Sequence, residues 1–290
     1  MKLQRAEEFG IKEKTVLRTG GKPVYKAAPS VTATGPPARS PCLRIEHADL
    51  SLIGDREDNQ DRVTVAANDN AALAIVIDGM GGHSDGSRAA DTALKSLLDS
   101  FQRAAHPVFD PLGFLHLSLS KAHDDVARLG SGQSIDARPR ATIAVCLVQD
   151  GAAYWAHVGD SRVYWIRKGN VVTRTRDHSH VELLLREGKI TEEEVATHPM
   201  RNFVECCLGG DPAIPEMTLS GRQMLQPGDV LLLCSDGIWA NLRDADIAGF
   251  FRDDSQNLRA WLEALGRRAV QASAPFSDNS TAAVVRWLGD

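Results

Sequence analysis

The apolar run Ala71-Ala72-Leu73-Ala74-Ile75-Val76-Ile77 passes directly into Asp78-Gly79-Met80-Gly81-Gly82-His83. It sets a carboxylate, bare backbone and an imidazole where a buried strand opens. Three acidic turns echo it. Arg56-Glu57-Asp58-Asn59-Gln60-Asp61 opens a strand-like stretch, Ser235-Asp236-Gly237 closes the run Val230 to Leu233, and Ser277-Asp278-Asn279 leads into Ala282 to Val285. A lone Asp beside a strand is an ordinary turn former. Four such turns, with an arginine ahead of the first, point to a metal site instead, because carboxylates at strand ends suit hard divalent cations that take oxygen ligands.

Working outward, Leu43 to Leu50, Asp61 to Ala67 and Ala71 to Ile77 read as strands starting an antiparallel sheet, the last two joined by the Asn68-Asp69-Asn70 turn. Ala90, Ala93, Leu94, Leu97, Leu98 and Phe101 recur at helical spacing, and Leu112 to Leu129 predicts a second helix. Ala141 to Val148, Ala152 to Val158, Arg162 to Arg167 and Val171 to Arg174, linked by short Gly-containing turns, predict a hairpin meander. Val181 to Glu187 and Thr191 to Ala196 read as small helices of an insertion. Val230 to Cys234 and Ala282 to Leu288 then return to strand around a helix bearing Leu258, Trp261, Leu262 and Leu265. Strand runs followed by helix runs imply segregated layers, an α+β class.

The 290 residues are 43% hydrophobic, enough for a sizeable core, and no internal repeat divides them. Thirty-three basic residues against 38 acidic ones, a net charge of -5, leave no basic footprint for nucleic acid. The amino terminus carries Glu7 and Glu8 and no apolar core of secretory length, and Ala71 to Ile77 falls far short of the roughly 20 residues that span a bilayer. A cytoplasmic protein without a membrane partner is expected. Cys42, Cys146, Cys206, Cys207 and Cys234 lack zinc-type spacing and read as reduced thiols. Residues 1–41, with Pro29, Pro36, Pro37 and Pro41 among small residues, read as a flexible extension, and 42–290 as the folded domain.

The acidic turns belong to an ordered series: Gly159-Asp160-Ser161-Arg162, Thr175-Arg176-Asp177-His178-Ser179, His198-Pro199-Met200-Arg201-Asn202 and Ser235-Asp236-Gly237-Ile238-Trp239 lie between the Asp78 run and Asp278-Asn279. From about Leu43 to Leu288 the series resembles the type 2C, metal-dependent (PPM class) protein serine/threonine phosphatases in their bacterial form. That resemblance implies a four-layer α/β/β/α sandwich of two antiparallel sheets flanked by helices, with metals at one end. It also implies hydrolysis of phosphoserine and phosphothreonine by metal-activated water, with two Mn2+ or Mg2+ ions and a third, weaker one. A Cys-x5-Arg loop for a phosphocysteine is absent from the sequence, in keeping with direct water attack.

Carried onto this sequence, the resemblance makes Asp78 the bridging ligand, with the carbonyl of Gly79 beside it. Asp236 and Asp278 complete one ion's shell, and Asp61 holds waters of the other. Arg56 grips the phosphate, as a planar guanidinium does. His83 is the candidate acid for the leaving alkoxide, its other reading being a loop hydrogen-bond donor. Asp160 is either a third-site ligand or the cap of its own turn. Gln60 and Ala240 stand where many relatives are acidic, which should weaken the second and third ions. Residues 177–202 correspond to the family's flap, read equally as a solvated hairpin. The implied partners are phosphorylated Ser/Thr proteins, including a cognate kinase or its substrates. A pseudophosphatase binding module and a small-molecule phosphomonoesterase are the alternatives.

Overall fold

The computed structural model describes residues 43–81, 84–195, 197–252 and 257–289. The expected extension 1–41 lies outside the described residues. Among these the chain runs β1 (Ile45–Leu52), β2 (Asp61–Ala67), β3 (Ala71–Met80), α1 (Ser84–Arg103), α2 (Pro111–Leu129), β4 (Arg140–Gln149), β5 (Ala152–Val158), β6 (Arg162–Arg167) and β7 (Asn170–Arg174). It continues through α3 (His180–Arg186), α4 (Glu192–Val195), β8 (Leu208–Gly209), β9 (Thr218–Leu219), β10 (Gln223–Met224), β11 (Val230–Cys234), α5 (Asp236–Trp239), α6 (Asp244–Gly249), α7 (Leu258–Ser273) and β12 (Ser280–Trp287).

The strands form two antiparallel sheets. One has the order β1-β12-β11-β6-β7. The other runs β10-β5-β4-β3-β2, with β8 added to β4 and β9 to β5. Successive strand residues point to opposite faces, and here both faces are covered. Leu73, Ile75 and Ile77 of β3 pack with Leu97 and Phe101 of α1 and Leu115 and Leu119 of α2. Their neighbours Ala74 and Val76 face Val163, Leu231, Leu233 and Val285 of the other sheet. On that sheet's outer side Tyr164, Ile166, Leu232 and Val284 meet Leu262 and Leu265 of α7. Three apolar layers therefore separate four layers of structure, the α/β/β/α sandwich, and they explain why β3 and β4 show no polar alternation. The helices start where side chains satisfy orphan amides: Asp110 accepts from Gly113 N at the head of α2, and Asn257 from Arg259 N at the head of α7.

Two pairings depart from the sequence reading. β1 does not join β2 and β3 but pairs with β12, Leu52 lying opposite Ser280, because the loop 53–60 is too long for a tight hairpin and crosses the sandwich. The expected four-strand meander also breaks between β5 and β6, which lie in different sheets. Both strands are buried on both faces, so their patterns name no partner, and Gly159 at φ +94° turns the chain from one sheet to the other. These crossings bring the start of β2, the end of β3, the β5–β6 turn, the end of β11 and the start of β12 to one end of the sandwich.

Cys146 and Cys234 are buried and Cys206 and Cys207 part-exposed, all as free thiols. No helix among the described residues is long and apolar enough to cross a membrane.

Candidate active site

Asp61 and Asp78 sit directly opposite each other in the β2–β3 ladder. Like charges so placed repel, and the surroundings add to it. Asp61 is 3% exposed and accepts a hydrogen bond of 2.8 Å from Ser235 Oγ. Burial, opposed by bonds from Ser235 and Thr281 and reinforced by Asp236 and Asp278, pushes its pKa up to about 7. Asp78 is held well above the ordinary carboxylate range by burial and then by Asp61, Asp236, Asp160 and Asp278. Asp236, first residue of α5, is raised to about 6 by burial and by Asp278, against a bond from the Gly237 amide and the nearby Arg56 charge. Asp160 is raised by burial and by Asp236 and Asp177, against Arg162.

The loops carrying these carboxylates are tied together by Asn279. Its Oδ1 accepts from Gln60 N at 2.8 Å, and its Nδ2 donates to Ile53 O and Asp58 O at 2.9 and 3.0 Å, pinning the first acidic loop to the last. Asp55 does likewise by accepting from the amide and hydroxyl of Ser277. Two glycines permit the close packing. A Cβ on Gly79 would stand 2.2 Å from Gly86 O, and one on Gly237 2.0 Å from Asn279 O.

The result is a cavity of about 620 Å³ walled by Asp78, Gly79, Asp160, Asp236 and Asp278, with Arg56 its one basic side chain among the described residues. Asp61 lies behind this wall, opposite Asp78, with one carboxylate oxygen bonded to Ser235. Arg56 Nη2 donates to Asp278 Oδ2 at 2.6 Å. His83 and Gly82 lie outside the described residues.

Crowded, part-buried carboxylates that raise one another's pKa are costly unless a cation joins them, so the donor set fits hard divalent ions. Among the described residues no three His, Cys, Asp or Glu side chains enclose an ion by themselves. An ion here would keep much of its water, as magnesium in particular prefers.

Residues 51–274 match the sequence profile of the family described as protein phosphatase 2C. The chain belongs to this family. It is 32% identical to protein phosphatase PhpP of Streptococcus pneumoniae over 251 residues, 82% of this chain and 96% of that one. Among solved structures it superposes on the Streptococcus agalactiae serine/threonine phosphatase with a TM-score of 0.75 and 29% identity, covering 85% of this chain and all of that one. With the catalytic domain of the serine/threonine phosphatase PstP in complex with two manganese ions the TM-score is 0.70 and the identity 27%, over 84% of this chain and 99% of that one.

In this 2C-family chain the residues that sequence reading missed are the supporting ones. Arg162 Nε and Nη2 donate to both oxygens of Asp177 at 2.8 and 2.7 Å, and Nη1 to Tyr164 Oη at 3.0 Å, all buried. The Trp239 ring lies 3.4 Å from that guanidinium, and its Nε1 donates to Asp160 O at 3.0 Å. Arg162, Asp177 and Trp239 each stand in a motif of the series, but their contacts with one another and the part played by Tyr164 had no sequence signal. The flap-like segment is rooted by a bridge between Ser179 and Val204, by His180 N donating to Phe203 O at 3.0 Å and by Glu205 N donating to His178 O at 2.8 Å.

Proposed function

We propose that the protein, a serine/threonine phosphatase of the 2C family, removes phosphoryl groups from phosphoserine and phosphothreonine in proteins by attack of cation-activated water, opposing a serine/threonine kinase in the cytoplasm. The observation that carries this reading is the cavity in which Asp78, Asp160, Asp236 and Asp278 crowd together and face, among the described residues, the one guanidinium of Arg56. Neutral ligands have no use for that much like charge. A phosphate monoester and its dications balance it.

Two divalent ions, Mn2+ or Mg2+, would supply a water of lowered pKa and neutralise phosphoryl oxygens. Asp78, the Gly79 carbonyl, Asp236 and Asp278 would hold them, with Asp61 orienting water and Asp160 serving a third, weaker site. Arg56 leaves Asp278 and donates two hydrogen bonds to phosphoryl oxygens, fixing the group in line for attack. As the ester bond breaks, His83 gives its proton to the departing Ser or Thr oxygen. The protein's other contribution is positional: Asn279 and Asp55 lock the loops so that these groups need no rearrangement during the step.

The test is phosphate release from a phosphothreonine peptide with Mn2+, then with excess EDTA, beside Asp236→Asn. Release that needs the metal and is lost in the variant establishes the reading. Folded wild type that releases nothing, and binds the peptide, would make the protein a pseudophosphatase.

A further inference from the structure

A second hollow, of about 390 Å³, adjoins the cavity and shares Asp160, Asn202 and Asp236 with it. Its character is different. Val181 and Leu185 of α3, Val195 of α4, and Trp239 and Leu242 line it. Trp239 and Leu242 pack partly into the outer core, whereas Val181, Leu185 and Val195 belong to none of the three cores of the described residues. Val181 is already buried, whereas Leu185 and Val195 stay half-buried beside this hollow with no core to cover them.

Most charges on the same wall are already neutralised by the protein. Arg162 is held by Asp177, Arg174 Nε donates to Asp244 at 2.7 Å, Glu182 pairs with Arg176, and Arg243 with Asp246. Of the remaining lining residues Glu192 and Arg201 carry one charge of each sign, Asp160 and Asp236 belong to the wall shared with the cavity, and Ala240 adds none. A ligand here gains little from its own charge and much from apolar contact.

We propose that this hollow is a specificity subsite for one apolar side chain, of leucine to phenylalanine size, on the phosphoprotein segment whose phosphoryl group occupies the neighbouring cavity. The inference rests on the phosphatase reading. The shared walls select this occupant: a chain anchored by its phosphoryl group beside Asp236 carries its flanking residues past Asn202 and Trp239. The flap supplies the apolar wall, and so acts on the choice of substrate and not on the chemistry.

The experiment uses the full chain with Mn2+ and phosphothreonine peptides in which Leu, and in a parallel set Asp, is stepped through each position on both sides of the phosphothreonine. At one position kcat/KM for Leu should exceed that for Asp by about tenfold or more. Leu185→Asn and, separately, Val195→Asn should erase that preference, and Leu185→Lys should reverse it toward Asp. Hydrolysis of p-nitrophenyl phosphate, which is too small to reach the subsite, should stay within about twofold of wild type and so report an intact fold. Equal kcat/KM for Leu and Asp at every position in wild type would overturn the subsite while leaving the phosphatase in place, as would a preference unchanged in both flap variants. Failure of wild type to hydrolyse any peptide or p-nitrophenyl phosphate would instead overturn the phosphatase reading, and the subsite with it.

Discussion

Arg56 and Asp278 are bonded across 2.6 Å, so the guanidinium assigned to the phosphate is held by a carboxylate assigned to a cation. Their side chains are 59% and 38% exposed, and a pair that open to solvent contributes about 1 kcal/mol at most. It yields readily when each partner meets a stronger one. Asp278 thus keeps the arginine parked at the cavity mouth without trapping it.

Arg56→Ala should therefore act mainly on substrate capture. Loss of a charge-assisted pair of hydrogen bonds corresponds to roughly a ten- to hundredfold higher KM, with a smaller fall in kcat. Steady-state kinetics on a phosphothreonine peptide check this, and an unchanged KM would mean that another group holds the phosphate.

Asp78→Asn and Asp236→Asn should each leave a folded protein with activity lower by several orders of magnitude. Stability separates a ligand from a structural residue. In EDTA, Asp78→Asn should melt no lower than wild type, since it removes a carboxyl whose ionisation burial and the neighbouring Asp61, Asp236, Asp160 and Asp278 oppose. Manganese should raise the melting temperature of wild type and leave that of the variant unmoved. Calorimetry with and without the ion reads both effects.

Asp177→Asn should destabilise the fold. It would leave the Arg162 guanidinium buried with its best partner gone, at a cost of about 3 kcal/mol or more. For a domain of this size that lowers the melting temperature by roughly 10 °C. A thermal scan by circular dichroism showing almost no shift would count against the pair as a structural keystone.

His157 predicts an acid-side weakness. Burial, with His178 stacked 4.5 Å away, lowers its pKa to about 4, opposed by the bond to Arg176 O and by Asp177. The unfolded chain, with histidine near 6.5, takes up the proton first. Stability is then lost as pH falls from about 6.5 toward 4, by about 3 kcal/mol from this group. Urea unfolding in EDTA should show wild type losing stability relative to His157→Gln over that window, a difference that separates this group from the buried carboxylates, whose raised pKa values act in the opposite sense.

Strand positions were legible where turns and apolar runs coincide: β2, β5, β6 and β11 begin and end where the sequence pattern puts them. Partnership was not, because β5 and β6 are buried on both faces and either sheet would accept them. The two-residue strands β8, β9 and β10 are too short to carry a period. The cavity was legible in part because each acidic turn abuts a strand. What escaped were contacts between distant residues, such as Asn279 with Ile53 and Asp58, or Arg162 with Asp177 beneath Trp239, for which no local pattern exists.

The paired roots at Ser179 and Val204 carry a wider consequence. A segment closed at its base depends little on its own length, since doubling a loop adds only about 0.6 kcal/mol of closure entropy. The length of the segment between these roots is thus loosely constrained by the fold, while Asn202 at its end stays with the cavity wall. On the proposed subsite reading, a hairpin transplanted between the same roots should carry its substrate preference to a new host.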